Sequence, residues 1–118
     1  MALCITVGSL TTRLLVSAFT LAWTHSVEHT GWQEDWQVAG DRLVLLESRV
    51  KGSGAGMEPG DDAVLRDGWW RSHPPRRLSE LRLANSGAAG VWQLCAPDCR
   101  ALEAAAPTPI ILAPCHDG

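Results

Sequence analysis

The chain has 118 residues, a net charge of −3, 46% hydrophobic residues and 19% charged ones. At roughly 100 to 200 residues per domain this predicts a single domain over residues 1–118 with no separate linker. The composition excludes collagen-like, coiled-coil and multi-span membrane classes, and the weak negative charge gives no reason to expect nucleic acid or an anionic membrane as partner. Six tryptophans supply bulk for a core, which argues against disorder.

The apolar N-terminal stretch is interrupted by Arg13. The uninterrupted pieces on either side fall far short of the ~20 apolar residues that cross a bilayer, so no transmembrane span is expected. A secretory signal would place its positive charge before the apolar run, whereas Leu3, Ile5 and Val7 come first here, so the segment reads as folded β structure.

Strand patterns dominate the rest. Phe19, Leu21, Trp23, His25 and Val27 alternate with Thr20, Ala22, Thr24 and Ser26, a period-two pattern of β-favouring residues. Trp32, Glu34, Trp36 and Val38 share the parity of one face, and Gly40-Asp41 supplies a two-residue turn into a partner strand from Arg42 to Val50. Lys51 to Asp62 contains four glycines and a proline and reads as one long loop. Shorter strands are expected over Val64 to Ser72, Leu78 to Ala84, Val91 to Cys95 and Pro109 to Ala113, with a helical turn only at Leu102 to Ala106. About eight short strands at this spacing predict an all-β fold, an antiparallel β-sandwich or small barrel. Charge is uneven: residues 28–62 carry eight acids and three bases, while residues 66–82 carry five arginines and two acids. Oppositely charged solvated faces of one sheet account for that.

The four cysteines allow three full pairings. Cys95 and Cys99 bracket an Ala-Pro-Asp turn, and Cys4 and Cys115 lie in the first and last strand candidates. The expected disulfides are therefore Cys95 to Cys99 and Cys4 to Cys115, which would place the domain on the oxidising side of a membrane, periplasmic or extracytoplasmic. A zinc site on the C-x₃-C spacing lacks a matching second pair of ligands.

His25-Ser26-Val27-Glu28-His29 matches the H-x-x-E-H pattern of an inverted zinc protease site. That chemistry needs both histidines on one helix face, whereas this segment continues a β run. Gly52-Ser53-Gly54-Ala55-Gly56 lacks the Gly-Lys-Ser/Thr ending of a phosphate loop, although its glycines allow a nest of backbone amides that suits a small anionic solute. Trp69-Trp70-Arg71 offers stacking and charge for single strands, but adjacent strand residues point to opposite faces. Glu34 stands by parity between two tryptophans on the face that should be buried, so it needs a partner or a proton, with His25 or Lys51 expected to provide it.

Taken in order, Phe19 to Glu28, Trp32 to Trp36, Lys51-Gly52-Ser53-Gly54-Ala55-Gly56-Met57, Leu65-Arg66-Asp67-Gly68-Trp69-Trp70, Leu94-Cys95, Cys99 and Leu112-Ala113-Pro114-Cys115 resemble the bacterial domain of unknown function 1850. The chain departs from that pattern at His29, where a lysine is commoner. The resemblance implies no established activity, and it implies an accessory role beside TAXI-type TRAP transporters, with the permease or the TAXI solute-binding subunit as partner. It also makes His25, Ser26, Glu28, Glu34, Lys51, Gly52, Ser53, Gly54, Gly56 and Met57 the candidates for a shared binding site. The expectation is a binding or accessory module that catalyses no reaction and needs no cofactor. The alternative is a metal-dependent or other hydrolase using His25, Glu28 and Glu34.

Overall fold

A computed structural model describes residues 1–24, 31–51, 62–83, 92–102 and 108–115. Twelve strands occur among them, and no helix: β1 (Ala2–Val7), β2 (Leu10–Leu14), β3 (Ala18–Thr24), β4 (Gly31–Ala39), β5 (Arg42–Lys51), β6 (Val64–Arg66), β7 (Trp69–Ser72), β8 (Arg77–Leu78), β9 (Leu81–Leu83), β10 (Trp92–Cys95), β11 (Cys99–Leu102) and β12 (Ile110–Cys115). Accordingly, no helix among the described residues is long and apolar enough to cross a membrane.

All pairings are antiparallel. The small sheet has the order β2-β1-β12-β9. The large one runs β11-β10-β3-β4-β5-β7-β6, and β8 pairs with β5 off that path. The two sheets pack face to face, which makes the fold a sandwich and not a closed barrel. Leu3, Ile5, Ile110, Leu112 and Leu83 of the small sheet meet Phe19, Leu21, Trp36, Val38, Leu43, Leu45, Leu94 and Leu102 of the large one in a single core cluster. Trp36 is fully buried at its centre.

The expected hairpin is present, with Gly40 at the first central position of the turn at φ 63° and Ala39 paired with Arg42. Its second strand carries a bulge. Asp35 faces Glu47, but Trp36 faces Leu45, so Leu46 has no opposite number and projects outward, 45% exposed. The extra residue inverts the parity of β5. Leu43 and Leu45 point inward before it, and Ser48 and Val50 share the inner face after it, paired with Glu34 and Trp32.

Two expectations change. Val64 to Ser72 is not one strand but the hairpin β6–β7, turned by Asp67-Gly68 at φ 55° and 83°. Leu78 to Ala84 divides, because β8 joins the large sheet and β9 the small one, so the chain changes layer between Leu78 and Leu81. Strand β2 lies within the N-terminal stretch that reads as folded β structure, but it is almost wholly exposed and carries no alternation of its own. Leu102 ends β11, and the rest of the expected helical turn, residues 103–106, lies outside the described residues.

Candidate functional site

Register builds one continuous inner-face row across the large sheet. It pairs Leu102 with Trp92, Trp23 with Trp32, Trp32 with Val50, Val50 with Trp70 and Trp70 with Leu65. The rings of Trp92 and Trp23 close the remaining gap at 4.5 Å, and Trp23 stacks on Trp32 with centroids 5.5 Å apart. Burial declines along the row, from Leu102 at 8% exposure to Leu65 at 53%. The row therefore leads out of the core toward the edge strand β6. The indole Nε1 of Trp32 is buried with no hydrogen-bond partner among the described residues, and a donor left so costs about 1–3 kcal/mol.

The next inner-face row holds Leu21, Glu34, Ser48 and Ser72. Glu34 lies on the inner face, as its parity predicts; of its two expected partners His25 lies outside the described residues, and the described contact is with Trp36. Trp36 Nε1 donates to Glu34 Oε1 at 3.1 Å. Burial pushes the Glu34 carboxyl above its ordinary value, opposed by this hydrogen bond and by the charge of Arg76. Lys51 is engaged elsewhere: its Nζ stands 5.0 Å from the centroid of Trp69, its register partner on the outer face. There a Cβ on Gly31 would lie 3.5 Å from the Trp69 ring and 3.6 Å from Lys51 Cβ. These are ordinary van der Waals distances, so the indole and the lysine stem lie directly beside the strand end.

Thr24, Gly31 and Lys51 are thus neighbouring strand termini at one end of the large sheet. His25, Ser26, Glu28, Gly52, Ser53, Gly54, Gly56 and Met57 lie outside the described residues. So does the whole H-x-x-E-H segment, and among the described residues no group of three His, Cys, Asp or Glu could hold a metal ion.

Sequence reasoning missed the polar network on the outer face. Arg49 grips Asp35 through both terminal nitrogens, at 2.6 and 2.9 Å, and donates from Nε to Gln33 Oε1 at 3.0 Å and from Nη1 to Glu47 Oε1 at 2.7 Å. Thr20 donates to Asp35 at 2.7 Å, and Arg71 donates to Glu47 at 2.9 Å. The side chain of Arg49 is only 11% exposed. Its hydrogen bond holds the Asp35 carboxyl below its ordinary value, against the opposing effect of burial. Burial pushes Glu47 up, but Arg49 and Arg71 together outweigh it and leave that carboxyl lowered. The available signal was the period-two run Glu47, Arg49, Lys51 set opposite Gln33 and Asp35, which becomes readable only once the bulge is known. Beside this network lies an open groove of about 510 Å³, whose lining includes Ala18, Thr20, Leu46, Cys95 and Pro97.

Both expected disulfides are formed, Cys4 with Cys115 and Cys95 with Cys99, and no cysteine is free. The molecule is therefore a disulfide-braced, two-sheet all-β domain with a tryptophan-lined inner face at one end of its larger sheet. The family model described as Domain of unknown function (DUF1850) matches residues 19–102, and the chain belongs to that family. No curated protein and no solved structure matches the chain significantly.

Proposed function

We propose that the protein is a non-catalytic binding or accessory module that works beside a TAXI-type TRAP transporter in solute uptake. The observation that carries the reading is the adjacency of Thr24, Gly31 and Lys51. Thr24 and Gly31 flank the histidine-serine segment and Lys51 precedes the glycine loop, which the family resemblance makes candidates for a shared site, and all three stand beside the tryptophan row. A half-buried carboxyl beside aromatic rings and two serines has the make-up of a recognition surface: much apolar area and a few placed polar groups. The association with the transporter comes from the family resemblance. The two disulfides agree with work in an oxidising, extracytoplasmic compartment. In this reading the site holds a small anionic solute at the glycine loop or touches the permease or the TAXI solute-binding subunit, with His25, Ser26, Glu28, Glu34, Lys51 and Gly52 to Met57 as its members.

The test is co-purification of the full chain with a TAXI-type TRAP permease and its solute-binding subunit from the same cell. Retention of either subunit by the wild type, and its loss in His25→Ala and Glu34→Gln, is the expected result. Failure to retain either, with the chain folded, overturns the transporter reading. Stoichiometric zinc in purified protein, together with hydrolysis that a chelator abolishes, would instead favour an enzyme.

A further inference from the structure

Two disulfides in one small domain need not share one task, and these two differ in exposure, in place within their sheets and in the length of chain they close. Cys4 and Cys115 lie half-buried in β1 and β12, the two interior strands of the small sheet, flanked by β2 and β9. They join positions 111 residues apart. Cys95 and Cys99 face each other across the β10–β11 hairpin, only four residues apart, and β11 is an edge strand of the large sheet. Cys99 is exposed, and Cys95 borders the open groove on the outer face.

We propose that Cys95–Cys99 is a thiol–disulfide exchange site, cycled by a dithiol partner of its compartment while Cys4–Cys115 stays closed. Access sets which sulfur is attacked. A partner thiolate attacks Sγ of the exposed Cys99, the Cys95 sulfur leaves as a thiolate into the groove and takes up a proton. The partner's second thiol then attacks its own sulfur in the mixed disulfide, releasing Cys99 as the second thiolate, which is protonated in turn. The partner dithiol is oxidised to a disulfide, and Cys95–Cys99 gains two electrons and two protons.

The fold survives this step. Four register pairs, from Trp92 with Leu102 to Cys95 with Cys99, hold β11 to β10, and Ala96 N donates to the Asp98 carbonyl within the turn at 3.1 Å. Core residues Leu94 of β10 and Leu102 of β11 anchor both strands by packing in which the sulfur bridge takes no part. The reduced form is therefore a second folded state, differing at one rim of the groove formed by Ala18, Leu46 and Pro97. This inference does not depend on the transporter reading and fails or stands separately from it.

The experiment treats the oxidised full chain with dithiothreitol under native conditions, alkylates at intervals, and maps the labelled peptides by mass. Label is expected at Cys95 and Cys99 at least about tenfold faster than at Cys4 and Cys115, with the far-ultraviolet β signal unchanged. Equal rates, earlier label at Cys4 and Cys115, or loss of the β signal with the first reduction overturns the proposal. A thioredoxin-type protein keeping only its attacking cysteine should be captured as a covalent adduct on Cys99. No adduct, or an adduct on Cys4, Cys95 or Cys115, overturns it equally.

Discussion

Arg49 shows how one side chain can fix the local chemistry of a whole sheet face. Its guanidinium meets Asp35 of the strand before it and Glu47 of its own strand, while Glu47 also receives Arg71 from the next strand. The arginine is held more strongly protonated than usual by its hydrogen bond to Asp35, so it stays charged under all ordinary conditions. Removing it leaves Asp35 without its cation and Glu47, 22% exposed, dependent on Arg71, and Arg49→Met should cost about 3 kcal/mol in a denaturant titration. Asp35 and Glu47 both titrate below their ordinary values of 3.8 and 4.5. A depressed folded value gives stability that is complete above the unfolded value and lost as pH falls through the folded one. The melting temperature should therefore hold from neutrality down to about pH 4.5 and drop below it, and the drop should be shallower in Arg49→Met. Glu34 has the opposite sign. Its raised value means that the charged form is the costly one, so its contribution improves as pH falls through the folded value toward the unfolded one. Glu34→Gln keeps an acceptor for Trp36 Nε1 and removes that cost, so thermal unfolding at neutral pH should show no loss of stability. A clear loss would assign Glu34 to the fold instead of to a binding role.

Among the elements, the bulge at Leu46 marks where sequence reading stops working. The Phe19-Leu21-Trp23 and Trp32-Glu34-Trp36 alternations are legible because β3 and β4 are regular and half-buried. Strand β5 reads as a strand, but parity alone does not assign its faces, since one unpaired residue inverts the parity of everything after it. For that reason Glu34 could be placed from sequence while its neighbours Ser48 and Ser72, and the whole Arg49 network, could not. The Asp67-Gly68 turn was readable, because Asp-Gly is a strong signal for a turn with two positive φ angles. The apolar residues on both sides simply read as one strand. These placements lead to sharp contrasts. Leu46→Asp should change stability by less than about 0.5 kcal/mol, whereas Leu45→Asp, one residue away and 6% exposed, should prevent folding. Gly68→Val places a branched side chain at φ 83° and should cost about 2 kcal/mol or more by equilibrium unfolding. Gly54 and Gly56, for which the glycine pattern predicts the same requirement, lie outside the described residues.

For the molecule as a whole, the layer architecture was legible in composition and strand spacing, and the assignment of strands to layers was not. Nothing local distinguishes Arg77-Leu78, which joins the large sheet, from Leu81-Arg82-Leu83, which joins the small one. That choice depends on which core positions remain to be filled. Long-range pairing is decisive for the small sheet, because β1 and β12 run side by side from Ala2 with Cys115 to Val7 with Ile110, over a hundred residues apart in sequence. Bringing such distant segments together is the most entropically demanding closure in the fold. The Cys4–Cys115 bridge, spanning 111 residues, removes much of that cost from the unfolded chain, by about 4–5 kcal/mol in the loop-entropy model. The Cys95–Cys99 bridge closes a loop so short that the same model gives it about 2 kcal/mol. Replacing Cys4 and Cys115 together by serine should therefore lower stability by roughly twice as much as replacing Cys95 and Cys99 together. The loss should also be distributed differently. In the first variant, amide exchange should accelerate across β1, β12 and β9, since the small sheet loses its covalent closure, and the core residues Leu3, Ile5, Ile110 and Leu112 it contributes become the first to loosen. In the second, acceleration should stay within β10 and β11. Hydrogen exchange followed strand by strand decides the matter, and equal protection losses in both sheets for either variant would show that the two layers unfold as one unit.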